Sequence, residues 1–320
     1  MSRRRIVVVG SSNTDMTIRL DRIPKPGETL LGGEFLMAAG GKGANQAVGA
    51  ARSGGRVSLV ARIGADIFGD QALAGLRRDR IDVAHVYRDL RATSGIALIF
   101  VGEHGENSIA VASGANARLS SADVARAGRL IASASVLLLQ LEVPLASVRA
   151  AALLGRRSGA RVILNPAPAR QLPDGLLQQV SVLTPNETEA AMLTGINVRS
   201  DASAARAAGK LRARGVQTVI VTLGARGALL AGTEGTCVVP GFNVQAVDTT
   251  GAGDIFHAGF IYALLQGWPL GRQLDFSCAA AAMNCMAAGA RGGIQSINAI
   301  HELMATASRY QATCALPVMN

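Results

Sequence analysis

The chain has 320 residues, 49% hydrophobic and 3% aromatic, with 37 glycines and a formal net charge of +10. That is ample material for one large core of Ala, Val, Leu and Ile, in a single α/β domain spanning 1–320. The arginines are scattered without interleaved aromatics, no apolar run reaches a membrane span, and the cysteines (Cys237, Cys278, Cys285, Cys314) lack metal or CxxC spacing, so nucleic-acid, membrane and thiolate-metal roles are set aside for a cytoplasmic protein with reduced thiols.

Ile6 to Val9 is uniformly apolar and β-branched, the pattern of a buried parallel strand. Asn13 and Asp15 follow on its carboxyl side, where open α/β sheets place ligand contacts. Thr14 to Leu20 predicts a strand, and Arg22 to Glu28, with its prolines, a turn projecting from the main body. In Ala39-Gly40-Gly41-Lys42-Gly43-Ala44-Asn45-Gln46-Ala47 the glycines lead into a helix to about Arg52, stopped by Gly54-Gly55. The Walker A spacing is absent. Lys42 and Asn45 are spaced to face one pocket; the alternative is that Lys42 is a solvated loop residue.

Val57 to Ala61 is the next strand, and Asp66 and Asp70 read as caps of a helix to about Arg78. Ser94 to Val101 and Asn107 to Ala112 flank a polar turn as a β-hairpin. With 14–36, the hairpin segment 94–112 predicts a small separate sheet, a flap over a cleft. Ser120 caps a helix to Ala132. Val136 to Leu141 is a strand ending at Glu142, Leu145 to Leu154 a helix, and Arg161 to Leu164 a strand ending in Asn165-Pro166-Ala167-Pro168. Val180 to Leu183 leads into Thr184-Pro185-Asn186-Glu187-Thr188-Glu189 and a helix ending at Gly195. Ser200 to Arg214 is helical. Thr218 to Thr222 is a strand closed by Leu223-Gly224-Ala225-Arg226-Gly227, and a hairpin turns around Gly232 to Gly235. Phe276 to Ala288 and Ile297 to Ala307 are the last helices, and Tyr310 to Asn320 shows no pattern. Such alternation predicts a mainly parallel sheet with helices on both faces.

The stretch Asp248-Thr249-Thr250-Gly251-Ala252-Gly253-Asp254 precedes the apolar run Ile255 to Leu265, which reads as a buried helix. Gly251 and Gly253 let a ligand approach main-chain N–H groups. A glycine turn opening a helix is an anion site. Asp254 is therefore either the N-cap of that helix or, where a phosphate is expected, the general base of a phosphoryl transfer. Two polar groups emerge. Asn13, Asp15, Lys42, Asn45 and Glu142 offer the mixed donors and acceptors that a neutral sugar demands. Asn186, Glu189, Thr222, Gly224, Gly227, Gly251, Gly253 and Asp254 suit a nucleotide, with a carboxylate to organise Mg²⁺ through water.

The stretches Ala39 to Ala47 and Asp248 to Asp254 resemble the two signature regions of the PfkB family of carbohydrate kinases. Gly10 to Asp15, Gly95 to Phe100, Gly105 to Asn107, Leu164 to Arg170, Thr184 to Glu189 and Val239 to Phe242 are also similar to that family, in the same order. The resemblance runs from about Ile6 to Gly289. It implies a three-layer α/β fold with a small β-sheet lid, and ATP-dependent phosphorylation of a sugar, D-ribose at O5 before deoxyribose, fructose or a nucleoside. It also implies that Asn13, Asp15, Gly41, Lys42, Gly43, Asn45 and Glu142 hold the sugar. ATP would lie against Asn186, Thr222, Gly224, Ala225, Arg226, Gly227, Gly253 and Cys278, with Glu189 helping to place Mg²⁺. The amides of Ala252, Gly253 and Asp254, after Gly251, would form an anion hole, and Asp254 would act as base. K⁺ would sit by Asp248 and Thr250, with Asn284, Ala287, Gly289 and Gly293 as the second strip. A homodimer through the lid is implied too. The chain departs from the family pattern at Ile255, at Cys278 and in the turn Arg291 to Gln295, where Gly293 supplies no side-chain oxygen. A non-catalytic sugar sensor is the reading from another class, and a dinucleotide-binding dehydrogenase lacks its GxGxxG after the first strand.

Overall fold

Strand β1 (Arg5–Val9) leads into β2 (Asn13–Arg19) and β3 (Glu34–Gly40), then helix α1 (Lys42–Arg52). There follow β4 (Arg56–Gly64), α2 (Ile67–Arg78), β5 (Asp82–Asp89), and the hairpin β6 (Gly95–Val101) and β7 (Asn107–Ala112). The middle of the chain forms α3 (Ser121–Arg126), α4 (Gly128–Ala132), β8 (Val136–Leu139), α5 (Leu145–Arg157), β9 (Arg161–Leu164), α6 (Asp174–Leu177) and β10 (Val182–Leu183). Then come α7 (Glu187–Thr194), α8 (Asp201–Ala213), β11 (Thr218–Thr222), β12 (Gly227–Gly232) and β13 (Gly235–Pro240). The chain closes with α9 (Ala252–Leu265), α10 (Leu270–Cys285) and α11 (Ile297–Thr306). This computed structural model describes residues 5–103, 106–287, 289 and 296–310. The turn 291–295, the hairpin-tip residues His104 and Gly105, and the tail beyond Tyr310 lie outside the described residues.

A nine-stranded sheet runs in the order β13-β12-β11-β10-β9-β8-β1-β4-β5. Its strands pair in parallel except at β11–β12 and β12–β13, which are antiparallel. In β1 the side chains alternate between two cores, as strand geometry demands. Val7 and Val9 join the apolar cluster with Leu137 and Leu139; Ile6 and Val8 join the one with Leu138, Phe256 and Phe260. Helices therefore cover both faces. On the second face the helices come close because small residues meet. A Cβ on Gly49 of α1 would lie 2.6 Å from that of Ala258 in α9, and one on Gly259 would lie 3.2 Å from that of Ala280 in α10.

A separate four-stranded sheet has the order β3-β2-β6-β7. It is mixed: β2 pairs antiparallel with β3 but parallel with β6. Register assigns its faces. Asn13, Asp15, Ala38, Ala97 and Val111 share one face; Phe35, Met37, Met16, Leu98 and Phe100 share the other.

Some elements differ from the sequence reading. The edge strand β5 (DVAHVYRD) escaped it, because polar residues interrupt its apolar pattern and only two of its eight residues are buried. The short α6 also went unseen. The helix from Ser120 is two helices, interrupted at Ala127, though Ser120 forms a capping box with Asp123. The helix expected at Phe276 begins at Leu270, with Pro269 at its N-cap.

β5 is tied to its neighbours by charge. Arg62 of β4 bonds to Asp89 at 2.9 Å and Asp123 at 2.9 Å, and Arg118 bonds to Asp89 at 2.8 Å. Arg118 and the Arg91 N–H hold the Asp89 carboxyl well below the usual carboxylate range. For Asp123, burial pushes upward, but the Ser120 N–H, Arg126 and Arg62 outweigh it. A carboxylate with a depressed folded pKa contributes stability that is present above its unfolded pKa, about 3.9, and lost as pH falls through the folded value. Arg62→Met is therefore expected to lower Tm by about 5 °C at pH 7. It should also flatten the loss of stability below about pH 4. Thermal unfolding from pH 7 to pH 2 checks both.

Candidate active site

The approach of α1 to α9 brings two side-chain amides onto Asp254. Asn45 Nδ2 donates to Asp254 Oδ2 at 3.0 Å, and Gln46 Nε2 donates to Oδ1 at 2.9 Å. Gln46 is itself oriented. Its Oε1 accepts from Gln140 Nε2 at 2.5 Å, and its Nε2 also reaches Asn165 Oδ1 at 3.2 Å. Asp254 is buried in the first turn of α9 and is not its N-cap. The cap is Gly251, in the left-handed region at φ 74, with no side-chain bond to the helix. The reason is geometric: only glycine enters a helix from that conformation without strain.

This entry leaves donors unused. The Ala252 N–H, expected in the anion hole, instead donates to Thr249 O at 3.2 Å in a tight turn. The N–H groups of Gly253 and Asp254 take no acceptor among the described residues. Both residues line a cavity of about 200 Å³, together with Lys42, Asn165, Ala167, Thr184, Asn186, Glu189, Thr222, Thr249, Gly251, Ala252 and His257. A helix N-terminus with free N–H groups attracts an anion.

The polar group expected to hold a sugar converges on the turn between β3 and α1. Gly41 has φ 84, and a Cβ there would lie 2.6 Å from the Asn13 nitrogen. A Cβ on Gly43 would lie 2.5 Å from the Ser11 nitrogen. Backbone thus packs directly on backbone. Glu142 Oε2 accepts the Lys42 N–H at 2.9 Å and the Ser11 hydroxyl at 2.5 Å. Asn116 Nδ2 donates to Asn13 Oδ1 at 2.7 Å. Asp15 lies against Gly40, where a side chain would meet its carboxylate at 2.1 Å. A cavity of about 360 Å³ adjoins this turn, lined among others by Asn13, Asn116, Glu142 and Arg170.

Lys42 joins the two regions and is no solvated loop residue. Burial pushes its ammonium down, but Asp254, Glu142, Glu189 and Asp15 together raise it, so it stays charged. The Glu189 carboxyl is pushed up, chiefly by burial and also by Asp254, against the Asn186 N–H and Lys42. Its Oε2 accepts the Asn186 N–H at 2.9 Å in a capping box that opens α7.

Asp248 clamps the turn before α9. Its oxygens accept the N–H of Thr250 at 2.8 Å and of Gly289 at 2.9 Å, and Asn284 Nδ2 donates to Thr250 O at 3.0 Å. Burial pushes the Asp248 carboxyl up, and the Thr250 side chain with the N–H groups of Gly289 and Thr250 brings it below its ordinary value. The residues expected around a monovalent cation, except Gly293, which lies outside the described residues, are thus drawn to one place. Ala287 joins them through its N–H to Asn284 O at 3.2 Å.

The chain also matches known proteins. Residues 3–297 match the pfkB family carbohydrate kinase description. The chain belongs to this family. It is 42% identical to a ribokinase of Haemophilus influenzae, over 91% of this chain and 95% of that one. It is 36% identical to a deoxyribokinase of Salmonella typhi, over 93% and 98%. The solved structure of Arabidopsis thaliana ribokinase with ribose and ATP superposes with a TM-score of 0.85 at 31% identity, over 94% of this chain and 98% of that one.

Within this carbohydrate kinase, the residues expected around a nucleotide are spread unevenly. Asn186 and Thr222 line the cavity and are bridged as parallel neighbours. Gly224 to Arg226 form one turn of 3₁₀ helix, and Gly227 takes φ 99. The Arg226 guanidinium is engaged by Glu187 at 2.6 Å and by Asp201. Cys278 does not line the cavity. It packs in the core, and burial pushes its thiol up to about 12. Sequence reasoning missed Ser11, Gln46, Asn116, Gln140, Thr184 and His257 as site residues. Ser11 and Thr184 follow strand ends, the same signal that picked out Asn13. His257 was legible as an imidazole in the apolar run Ile255 to Ile261, one turn after Gly253.

Proposed function

We propose that this protein is a ribokinase that transfers the γ-phosphoryl group of ATP to O5 of D-ribose. The observation that carries the reading is the pairing, in one cavity, of the Asp254 carboxylate with the unbonded N–H groups of Gly253 and Asp254. A phosphoryl transfer asks for positioning, charge neutralisation and a base, with little covalent help. Asp254 removes the hydroxyl proton as the oxygen attacks, and the two amides receive the charge on the transferring group. Asn13, Asp15, Gly41, Lys42, Gly43, Asn45 and Glu142 hold the sugar. Asn45 serves the base through its amide bond to Asp254. ATP lies along Asn186, Thr222 and the turn Gly224 to Gly227.

The donor chemistry suits Mg²⁺ and K⁺. Among the described residues no group of three or more His, Cys, Asp or Glu forms a metal cage. Mg²⁺ bound mainly to phosphate and water needs only one such carboxylate, and Glu189 is the one proposed. When bound it neutralises phosphate charge. The carbonyl-rich turn around Asp248, Thr250, Asn284, Ala287 and Gly289 suits K⁺.

The lid reading rests on the small sheet, formed by segments 14–36 and 94–112 of a single domain. Its Asp15 face carries a sugar ligand; Phe35, Met37 and Leu98 on the other face are exposed. That exposed apolar face supports a homodimer in which a second copy covers it. A cytoplasmic location agrees with ATP use and with the free thiols of Cys237, Cys278 and Cys285; among the described residues no helix is long and apolar enough to cross a membrane.

The test is ADP release with Mg-ATP across D-ribose, 2-deoxyribose and fructose, with and without K⁺. D-ribose is expected to give the highest kcat/KM, by about tenfold or more over 2-deoxyribose, because losing one hydroxyl leaves a buried partner unpaired. The relative of Salmonella typhi makes deoxyribose the second reading, and the reverse order of kcat/KM would establish it. No ADP release with any sugar would favour a sensor.

A further inference from the structure

His257 belongs to no role given above, yet it lines the same cavity as Asp254 and is only 2% exposed. Its Nδ1 lies 2.5 Å from Gly253 O, and its Nε2 is hydrogen-bonded to Thr184 Oγ1. A carbonyl oxygen only accepts, so Nδ1 carries the hydrogen. Burial pushes the imidazole's pKa down, against the Gly253 bond and Asp254, and so keeps the ring neutral. Nε2 therefore accepts from the Thr184 hydroxyl, being the nearer of that hydroxyl's two acceptors; the other is Leu164 O at 3.3 Å. Thr184 is in turn pegged to the central sheet by its N–H to Leu164 O at 3.0 Å.

The carbonyl of Gly253 and the N–H of Asp254 belong to one planar peptide unit. Holding the oxygen fixes the direction in which that N–H points. We infer that His257 is a positioning residue, a brace from the end of β10 through Thr184 to the Gly253–Asp254 peptide, aiming the anion-binding amide at the transferring group. The inference rests on the ribose-kinase reading. The brace acts on the transition state, since donors must meet charge as it develops. Its loss is therefore read in kcat rather than in KM.

The test compares steady-state kinetics of the full-length enzyme and its variants with ribose and Mg-ATP. Thr184→Val removes the hydroxyl and keeps the shape; kcat is expected to fall about tenfold with KM values within about twofold. Thr184→Ser restores the hydroxyl and is expected to keep kcat within about twofold of wild type. His257→Asn reaches Gly253 O but not Thr184, and should match Thr184→Val. The double variant should fall no more than about twofold below either single one, because one brace is broken once. A ¹⁵N spectrum of the wild-type ring should show the Nδ1–H tautomer. Wild-type kcat in Thr184→Val, multiplied losses in the double variant, a loss carried by KM, or an Nε2–H ring would each overturn the brace. Wild-type enzyme that fails to release ADP with ribose refutes the kinase reading instead, and the ring tautomer still tests the brace.

Discussion

Asp254→Asn is expected to lower kcat for ribose by about 10³-fold, with KM for ATP within about threefold. The amide cannot take the hydroxyl proton. Its NH₂ would also face the donors of Asn45 and Gln46, which now bond the two carboxylate oxygens at 3.0 Å and 2.9 Å. Initial rates of ADP release at saturating ribose decide the matter. Turnover near wild type would remove Asp254 as the base and leave it as a structural anchor between α1 and α9.

Lys42→Met is expected to lower kcat/KM for ribose by about 10²-fold and to raise KM for ATP. The ammonium faces Asp254, Glu142, Glu189 and Asp15, and without it these carboxylates confront an incoming polyphosphate unbalanced. Lys42→Arg should recover part of the loss, since the charge returns with a different shape. Lys42 keeps its charge throughout the neutral range. Its folded pKa is raised, so its charge is lost only as pH rises beyond the ordinary lysine value of about 10.4. An unchanged kcat/KM in Lys42→Met, measured at pH 7.5, would show that the phosphate charge is met elsewhere.

Much of this was written in local pattern. The uniform apolar strand at Ile6 to Val9, the glycine turn before α1 and the αL glycine ending α7 follow from short-range rules, and each appears where those rules put it. The polar sets were also visible as residues at strand ends. What local pattern lacked was orientation. Asn45 reads as a sugar ligand beside Lys42, but nothing in its spacing shows that its amide nitrogen also bonds Asp254, which it does because Gly49 lets α9 lie close. Likewise the turn Thr249 to Ala252 spends one amide internally, a choice of hydrogen bond that no spacing encodes. The edge strand β5 was lost because polar residues break its apolar pattern, while its last residue, Asp89, is tied to Arg62 and Arg118, partners that no local pattern shows.

The bonds from α1 to Asp254 have a metrical consequence. Lys42, whose N–H bonds Glu142, and Gln46, whose amide bonds Asp254, stand on one helix, separated by about 6 Å of rise. On the proposed reading, the spacing between acceptor hydroxyl and carboxylate is thereby set by a helix rather than by a loop. Any tilt of that helix carries both ends together.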